Sequence, residues 1–98
     1  MARMKFEIIL SPEAVEDFKS IQAHDRSLIR SALETYLRYE PTKVSKSRIK
    51  RLRGLTRPQF RLRVGGYRIF YDVTDKAVEV LAIVSKKEAA KWLEEFAN

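Results

Sequence analysis

Apolar positions change period several times along this chain. Over Lys5–Leu10 they alternate, with Phe6, Ile8 and Leu10 on one side, which is the pattern of a half-buried strand. Ser11-Pro12-Glu13 then reads as a helix start, with Ser as N-cap, Pro in the first turn and Glu at the positive end of the helix. Ala14, Val15, Phe18 and Ile21 follow at helical spacing. Ala23-His24 is expected to break this helix and Asp25 to cap a second one. Leu28, Ile29, Ala32, Leu33, Tyr36 and Leu37 form the apolar stripe of that second helix. Pro41 ends it, so the first half predicts a strand and an αα-hairpin.

The second half reverts to period two. Thr42–Ser47 is polar and reads as a loop. Arg48–Leu55 is ambiguous, because Ile49 and Leu52 do not alternate and Gly54 limits any strand. Thr56–Pro58 reads as a turn. Phe60–Val64 and Tyr67–Thr74 are strands around Gly65-Gly66, a strong signal for a two-residue hairpin loop. Ala77–Val84 is nearly all apolar, as a central strand is. Lys86–Phe96 closes the chain as a helix with Ala89, Trp92, Leu93 and Phe96 inward. The order is βαα, a β-meander and a helix, so the fold class is α+β in a single domain, residues 1–98.

A two-residue Gly65-Gly66 loop fixes the hairpin register. Arg63 then faces Arg68, Leu62 faces Ile69, Arg61 faces Phe70 and Phe60 faces Tyr71. Alternation puts Phe60, Leu62, Val64, Tyr67, Ile69 and Tyr71 on a core face, and Arg61, Arg63, Arg68 and Phe70 on the other. Tyr67 and Tyr71 are therefore expected to pack with hydrogen-bonded hydroxyls.

Charge sharpens this picture. Between Glu40 and Asp72 lie ten basic residues and no acidic one, within a chain of net charge +7, while the flanking segments are slightly acidic. So concentrated a positive field attracts polyanions, and nucleic acid is the first partner to consider. The chain has no cysteine, which excludes disulfides and thiolate metal sites and fits a reducing, cytoplasmic setting. The alternating N-terminus does not read as a signal peptide, and no apolar run approaches the ~20 residues of a membrane span. The one histidine, His24, cannot make a His-based metal centre and is expected on the surface of the inter-helix turn.

Like charges opposed across a hairpin cost some tenths of a kcal/mol to about one. Arginine suits bidentate phosphate contacts and phenylalanine offers a stacking surface for a base, so a single-stranded or RNA partner would reward the arrangement. The structural alternative is a solvated face whose arginines pair with acidic residues of the last helix, such as Glu94 or Glu95.

The run Arg51-Leu-Arg-Gly-Leu55 followed by Phe60-Arg-Leu-Arg-Val-Gly-Gly-Tyr-Arg-Ile-Phe-Tyr71 resembles the signature of the RelE/ParE toxin superfamily, a basic-Leu-x-Gly-Leu strand followed by R-x-R-x-G-x-Y-R-x-x-Y. The strand–helix–helix start and the length agree with it. The resemblance implies a small curved antiparallel sheet carrying the αα-hairpin, in a microbial RNase-like arrangement. It also implies the toxin of a type II toxin–antitoxin pair, held by an acidic cognate antitoxin. RelE-type members cut mRNA on the ribosome through attack of the 2′-hydroxyl on the neighbouring phosphate. ParE-type members inhibit DNA gyrase.

Carried over by position, Arg61 and Arg68 match catalytic basic residues, Arg68 against the scissile phosphate. Lys87, or Lys86 with a one-residue shift, matches the basic residue after the last strand. Arg63, Phe70, Arg51, Arg53 and Lys86 are the expected RNA contacts. The C-terminal His or Tyr used by many RelE-like nucleases is missing, and Gln59 stands where some relatives carry a second lysine. The phosphate-stabilising half of a metal-independent nuclease is therefore present. Proton transfer is left to Lys86, Lys87, Glu88 or the ribosome's own organisation of the RNA. No cofactor and no membrane is expected, and the ribosome and mRNA are the partners.

Overall fold

The computed structural model describes residues 3–97. Its strands form one sheet in the order β1-β5-β4-β3-β2. These are β1 (Glu7–Leu10), β2 (Ile49–Arg51), β3 (Phe60–Val64), β4 (Tyr67–Val73) and β5 (Ala77–Ser85). The meander β2 to β5 is antiparallel as expected, but β1 adds parallel to β5, so the sheet is mixed. The two helices α1 (Pro12–Lys19) and α2 (Ala23–Ala32) carry the chain from β1 at one sheet edge to β2 at the other, and the meander then returns β5 beside β1.

Ser11 caps α1 as its sequence predicts, its Oγ accepting from the Ala14 N–H at 3.1 Å. The break before α2 falls earlier than expected, at Ser20–Gln22. Ile21 is buried and draws the chain inward there, so Ala23 and His24 lie in the first turn of α2, with His24 exposed. Asp25 consequently does not cap α2; its carboxylate accepts from the Tyr67 hydroxyl at 2.9 Å. Leu28, placed on the apolar stripe by its spacing, is 52% exposed. A π-helical turn, Leu33–Leu37, extends α2. Beyond it Arg38 holds β1, accepting from the Phe6 N–H at 2.7 Å and donating to the Phe6 carbonyl at 3.0 Å.

The main core lies between the αα-hairpin and one sheet face. Ala14, Ile29, Leu37, Leu62, Ile69, Tyr71, Val78 and Val80 are all fully buried there. The near-continuous apolar run of β5 reflects a β-bulge. Phe70 faces Ala82 but Tyr71 faces Val80, so Leu81 is an extra residue. The bulge switches the core-facing positions from Val78 and Val80 to Ile83. Its freed backbone groups are satisfied by α1: the Ser11 hydroxyl donates to the Leu81 carbonyl at 3.0 Å, and Asp17 accepts from the Ile83 N–H at 2.9 Å. Burial raises the Asp17 carboxyl above its ordinary value.

The last helix, α3 (Lys86–Ala97), does not enter this core, and none of its residues is fully buried. The αα-hairpin already fills that side, so α3 crosses the opposite sheet face. Trp92, expected as a core residue, is half-buried over Phe70 with ring centroids 4.8 Å apart and an interplanar angle of 13°. Its indole N–H donates to Glu13 in the first turn of α1 at 2.6 Å.

Candidate nucleic-acid interface

Gly65 has φ +54° and Gly66 does not, the pattern of a turn that needs glycine at its first central position. The resulting register is Arg63 opposite Arg68, Leu62 opposite Ile69, Arg61 opposite Phe70 and Phe60 opposite Tyr71, as read from the glycine pair. The three arginines therefore share the face crossed by α3. Tyr67 and Tyr71 point to the core side. The Tyr71 hydroxyl donates to the Pro41 carbonyl at 2.6 Å, and burial pushes its pKa well above the ordinary value.

The three guanidiniums are not equivalent. Arg63 is exposed and Arg61 half-buried, while Arg68 is only 8% exposed. One terminal nitrogen of Arg68 donates to the carbonyls of Gly65 and Tyr67, at 2.9 and 2.8 Å, bracing the turn. Arg61 Nε is buried and has no hydrogen-bond partner among the described residues. Burial first, then the neighbouring Arg68 and Arg63 charges, lowers the Arg61 pKa; burial and Arg63 do the same to Arg68. Among the described residues none of the three forms an ion pair, and Glu94 and Glu95 are not engaged with them.

The short strand β2 adds a cation that its sequence did not reveal. Lys50 lies directly opposite Arg61, hence on the same face, and is exposed. Its neighbour Arg51 pairs with Phe60 and sits on the core side of the sheet edge, its guanidinium 5.0 Å from the Phe60 ring. Arg51 is therefore placed away from the arginine cluster, contrary to its expected role. The reason is parity: with β2 in register, only the even position between Ile49 and Arg51 reaches the basic face. Arg53 lies exposed in the turn after β2. Arg48, also not singled out from sequence, donates to the Arg63 carbonyl at 3.1 Å and lies 4.8 Å from the Tyr36 ring. With Ser47, Arg63 and Gly65 it lines an open polar cleft of about 320 Å³.

Phe70 corrects a second expectation. It is 2% exposed beneath Trp92 and offers no ring face to a base. Trp92 in turn stacks on Phe96, centroids 4.8 Å apart, so three rings form a ladder running outward from the basic face. Among the described residues the one buried carboxylate near this face is committed elsewhere: Asp72 accepts from Arg57 Nε at 2.6 Å and from the Gln59 N–H at 2.7 Å. Gln59 spends its side-chain oxygen on the Val73 N–H at 2.8 Å.

Lys86 and Lys87 are both exposed at the start of α3, just after Val84, the cross-strand partner of Arg68. The Lys86 N–H donates to the Gly66 carbonyl at 2.8 Å and ties the helix start to the hairpin tip. Glu88, a candidate base from sequence, turns back to the Ser85 hydroxyl at 3.3 Å in a helix-capping contact. Among the described residues no three His, Cys, Asp or Glu side chains gather as a metal site requires, and no helix is long and apolar enough to cross a membrane.

The overall fold recurs among solved toxin–antitoxin structures. The chain matches the RelBE2 toxin–antitoxin complex from Mycobacterium tuberculosis with a TM-score of 0.71 at 21% identity, covering 84% of this chain and 99% of that one. Against the archaeal RelE–RelB complex from Pyrococcus horikoshii OT3 the TM-score is 0.64 at 25% identity, over 85% and 97% of the two chains. For the E. coli DinJ–YafQ toxin–antitoxin complex it is 0.65 at 19% identity, over 89% and 97%. A search of curated protein sequences returns no match. The fold is thus RelE-like.

Residues 8–90 match the family model described as the ParE toxin of the type II toxin–antitoxin system, parDE. The chain belongs to that family, within the RelE/ParE superfamily of type II toxins.

Proposed function

We propose that this toxin is a metal-independent endoribonuclease that cleaves translated mRNA on the ribosome, and that a cognate antitoxin with an acidic segment silences it. The observation that supports this most is the group Arg61, Arg63 and Arg68 on one sheet face without an internal carboxylate partner, one of them with a buried, unpaired Nε. A phosphodiester supplies the oxygens those donors lack. In the proposed reaction the nucleotide's own 2′-hydroxyl attacks the adjacent phosphate, the P–O5′ bond breaks, and a 2′,3′-cyclic phosphate forms. Arg61 and Arg63 neutralise the extra negative charge of the pentavalent phosphorane. Arg68 holds the turn and adds charge from beneath. Lys50 draws in the backbone, the 2′-hydroxyl gives up its proton to water ordered by the ribosome-bound RNA, and the departing 5′-oxygen takes one from Lys87 or Lys86. Arg53 touches RNA from the edge, as solvated positive charge.

An antitoxin segment covering this face would present carboxylates to the same donors. Its acidic character follows from the charge it meets; the toxin–antitoxin complexes with this fold support the presence of an antitoxin partner. A second reading, inhibition of DNA gyrase without cleavage, is favoured by the parDE description of the matching family and by the absence of a histidine or tyrosine from the C-terminal stretch Ser85–Leu93. Inducing the toxin in cells while mapping mRNA 5′ ends and scoring DNA breaks separates the two. Codon-phased mRNA ends that vanish in Arg61→Ala are the expected result. Gyrase-linked breaks with intact mRNA would replace the nuclease by the second reading.

A further inference from the structure

The ring ladder over Phe70 ends in a ring with an open side. Phe96, its outermost member, is 38% exposed. It forms one wall of a cleft of about 460 Å³ that is also lined by Leu55, Thr56 and Arg57. Arg57 enters the cleft as a half-spent fork. Its Nε is bound to Asp72 at 2.6 Å, while its terminal nitrogens make no hydrogen bond among the described residues. Its guanidinium carbon flanks the Phe96 ring at 5.9 Å. The Asp72 contact fixes the plane of the fork, so its remaining donors are oriented in advance.

Position matters as much as composition. α3 starts at the hairpin tip, where Lys86 bonds Gly66, and ends at the strand base, where Phe96 meets Arg57. The exposed cations Arg63 and Lys50 and the half-buried Arg61 lie on the β3–β2 side of the same face. A single strand whose phosphates follow Arg63 and Arg61 down β3 therefore arrives at this cleft. A flat aromatic surface next to an arginine at the end of a phosphate track is the combination that holds an unpaired base.

We propose that this cleft is a nucleobase subsite, best matched to an unpaired guanine in the RNA strand lying on the arginine face. This deepens the RNA reading above and rests on it. Guanine presents two acceptors, O6 and N7, on one edge, and an arginine fork has only donors to offer. Adenine would turn its N6 donor toward those donors. Pyrimidines present less ring area to Phe96.

The test uses the full chain and 2′-O-methyl tetranucleotides, whose blocked 2′-oxygen prevents cleavage, each carrying a terminal dye for anisotropy. One position holds guanine, 7-deazaguanine, adenine or an abasic residue. The abasic strand is expected to bind at least about fivefold more weakly than the guanine strand, the low end of one base–aromatic stack. The 7-deazaguanine and adenine strands should fall between them. Phe96→Leu shrinks the difference between guanine and abasic strands to the share of the Arg57 contacts. Arg57→Lys, which retains a cation for Asp72, removes the preference for guanine over adenine. Equal binding of guanine and abasic strands at every position overturns the subsite while leaving the RNA reading standing. A chain that binds none of the strands also overturns the subsite, and the mapping of mRNA ends in induced cells then decides the RNA reading by itself. The ligand-side substitutions need no protein variant, so a misfolded Phe96→Leu protein would not rescue the idea.

Discussion

Arg61 should be a residue that the protein would fold better without. Its Nε is buried with no acceptor, and it lies directly across from Lys50 on the same face as Arg63 and Arg68. An unsatisfied buried donor costs about 1–3 kcal/mol. Like charges opposed across a sheet add some tenths of a kcal/mol each. Methionine at this position retains most of the aliphatic stem that packs beside Phe70, so little is lost in return. The net expectation for Arg61→Met is a gain of about 1–2 kcal/mol. At about 4–8 °C per kcal/mol for a domain of this size, Tm should rise by roughly 5–15 °C.

The measurement is thermal unfolding of the isolated chain by circular dichroism, at low and high salt, beside a growth assay on induced cells. Arg61→Met should unfold later than wild type and be non-toxic. Its advantage should shrink in high salt, because screening removes the repulsive share but not the orphaned donor. Arg61→Lys separates the two contributions: it keeps the charge, lifts it into solvent and drops the buried Nε–H. Its Tm should fall between the other two. An Arg61→Met protein that unfolds earlier than wild type would refute the reasoning, since it would mean the guanidinium is satisfied in the folded chain.

Four further variants probe the surroundings. Tyr71→Phe leaves the buried Pro41 carbonyl without its donor and should lower stability by about 1–3 kcal/mol in denaturant titration, with toxicity per folded molecule unchanged because the hydroxyl is on the core side. Lys50→Ala relieves its opposition to Arg61 and should raise Tm by roughly 1–4 °C, while reducing the slope of log K against log salt for single-stranded RNA by about 0.7, the share of one phosphate contact. Asp17 gives a pH signature. Its folded pKa is raised above the ordinary 3.8, so in the window above 3.8 the folded state binds more protons than the unfolded one and stability falls as pH rises. Asp17→Asn keeps an acceptor for the Ile83 N–H and should remove that slope, as urea titrations across the acidic range would report. Asp17→Ala should instead destabilise at every pH by stranding that N–H.

The hairpin was legible because its determinants are local. A glycine pair sets the turn, the turn sets the register, and alternation then assigns every side chain to a face. The N-cap at Ser11 was legible for the same reason. What could not be read depends on distant partners. β2 is only three residues long, and its parity against β3 decides that Lys50, not Arg51, joins the cluster. The parallel placement of β1 and the bulge at Leu81 are agreed between β5 and α1, seventy positions away in the case of the Ser11 bond to Leu81. For α3 the sequence supplied an apolar stripe but not which side of the sheet would receive it. That choice moved Trp92 out of the main core and sealed Phe70, which alternation had correctly placed on the arginine face.

The distribution of conflict across the fold carries the remaining step. On the helix side of the sheet, propensity, pattern and packing agree, and the polar groups that enter, such as the Tyr71 hydroxyl and the Asp17 carboxylate, find partners. On the other side the same sheet opposes Arg63 to Arg68 and Lys50 to Arg61 and leaves a guanidinium nitrogen unpaired. A sequence optimised for folding alone would place an acid there, and it has one close by: Asp72, two residues beyond Phe70 on the same strand. That carboxylate is turned instead to Arg57 and the Gln59 backbone. Local rules are broken where a protein has something other than itself to bind. An anion arriving from outside, whether an RNA phosphate or an antitoxin carboxylate, would meet the exposed donors of Arg63 and Lys50 and relieve the mutual repulsion of the cluster as it does so.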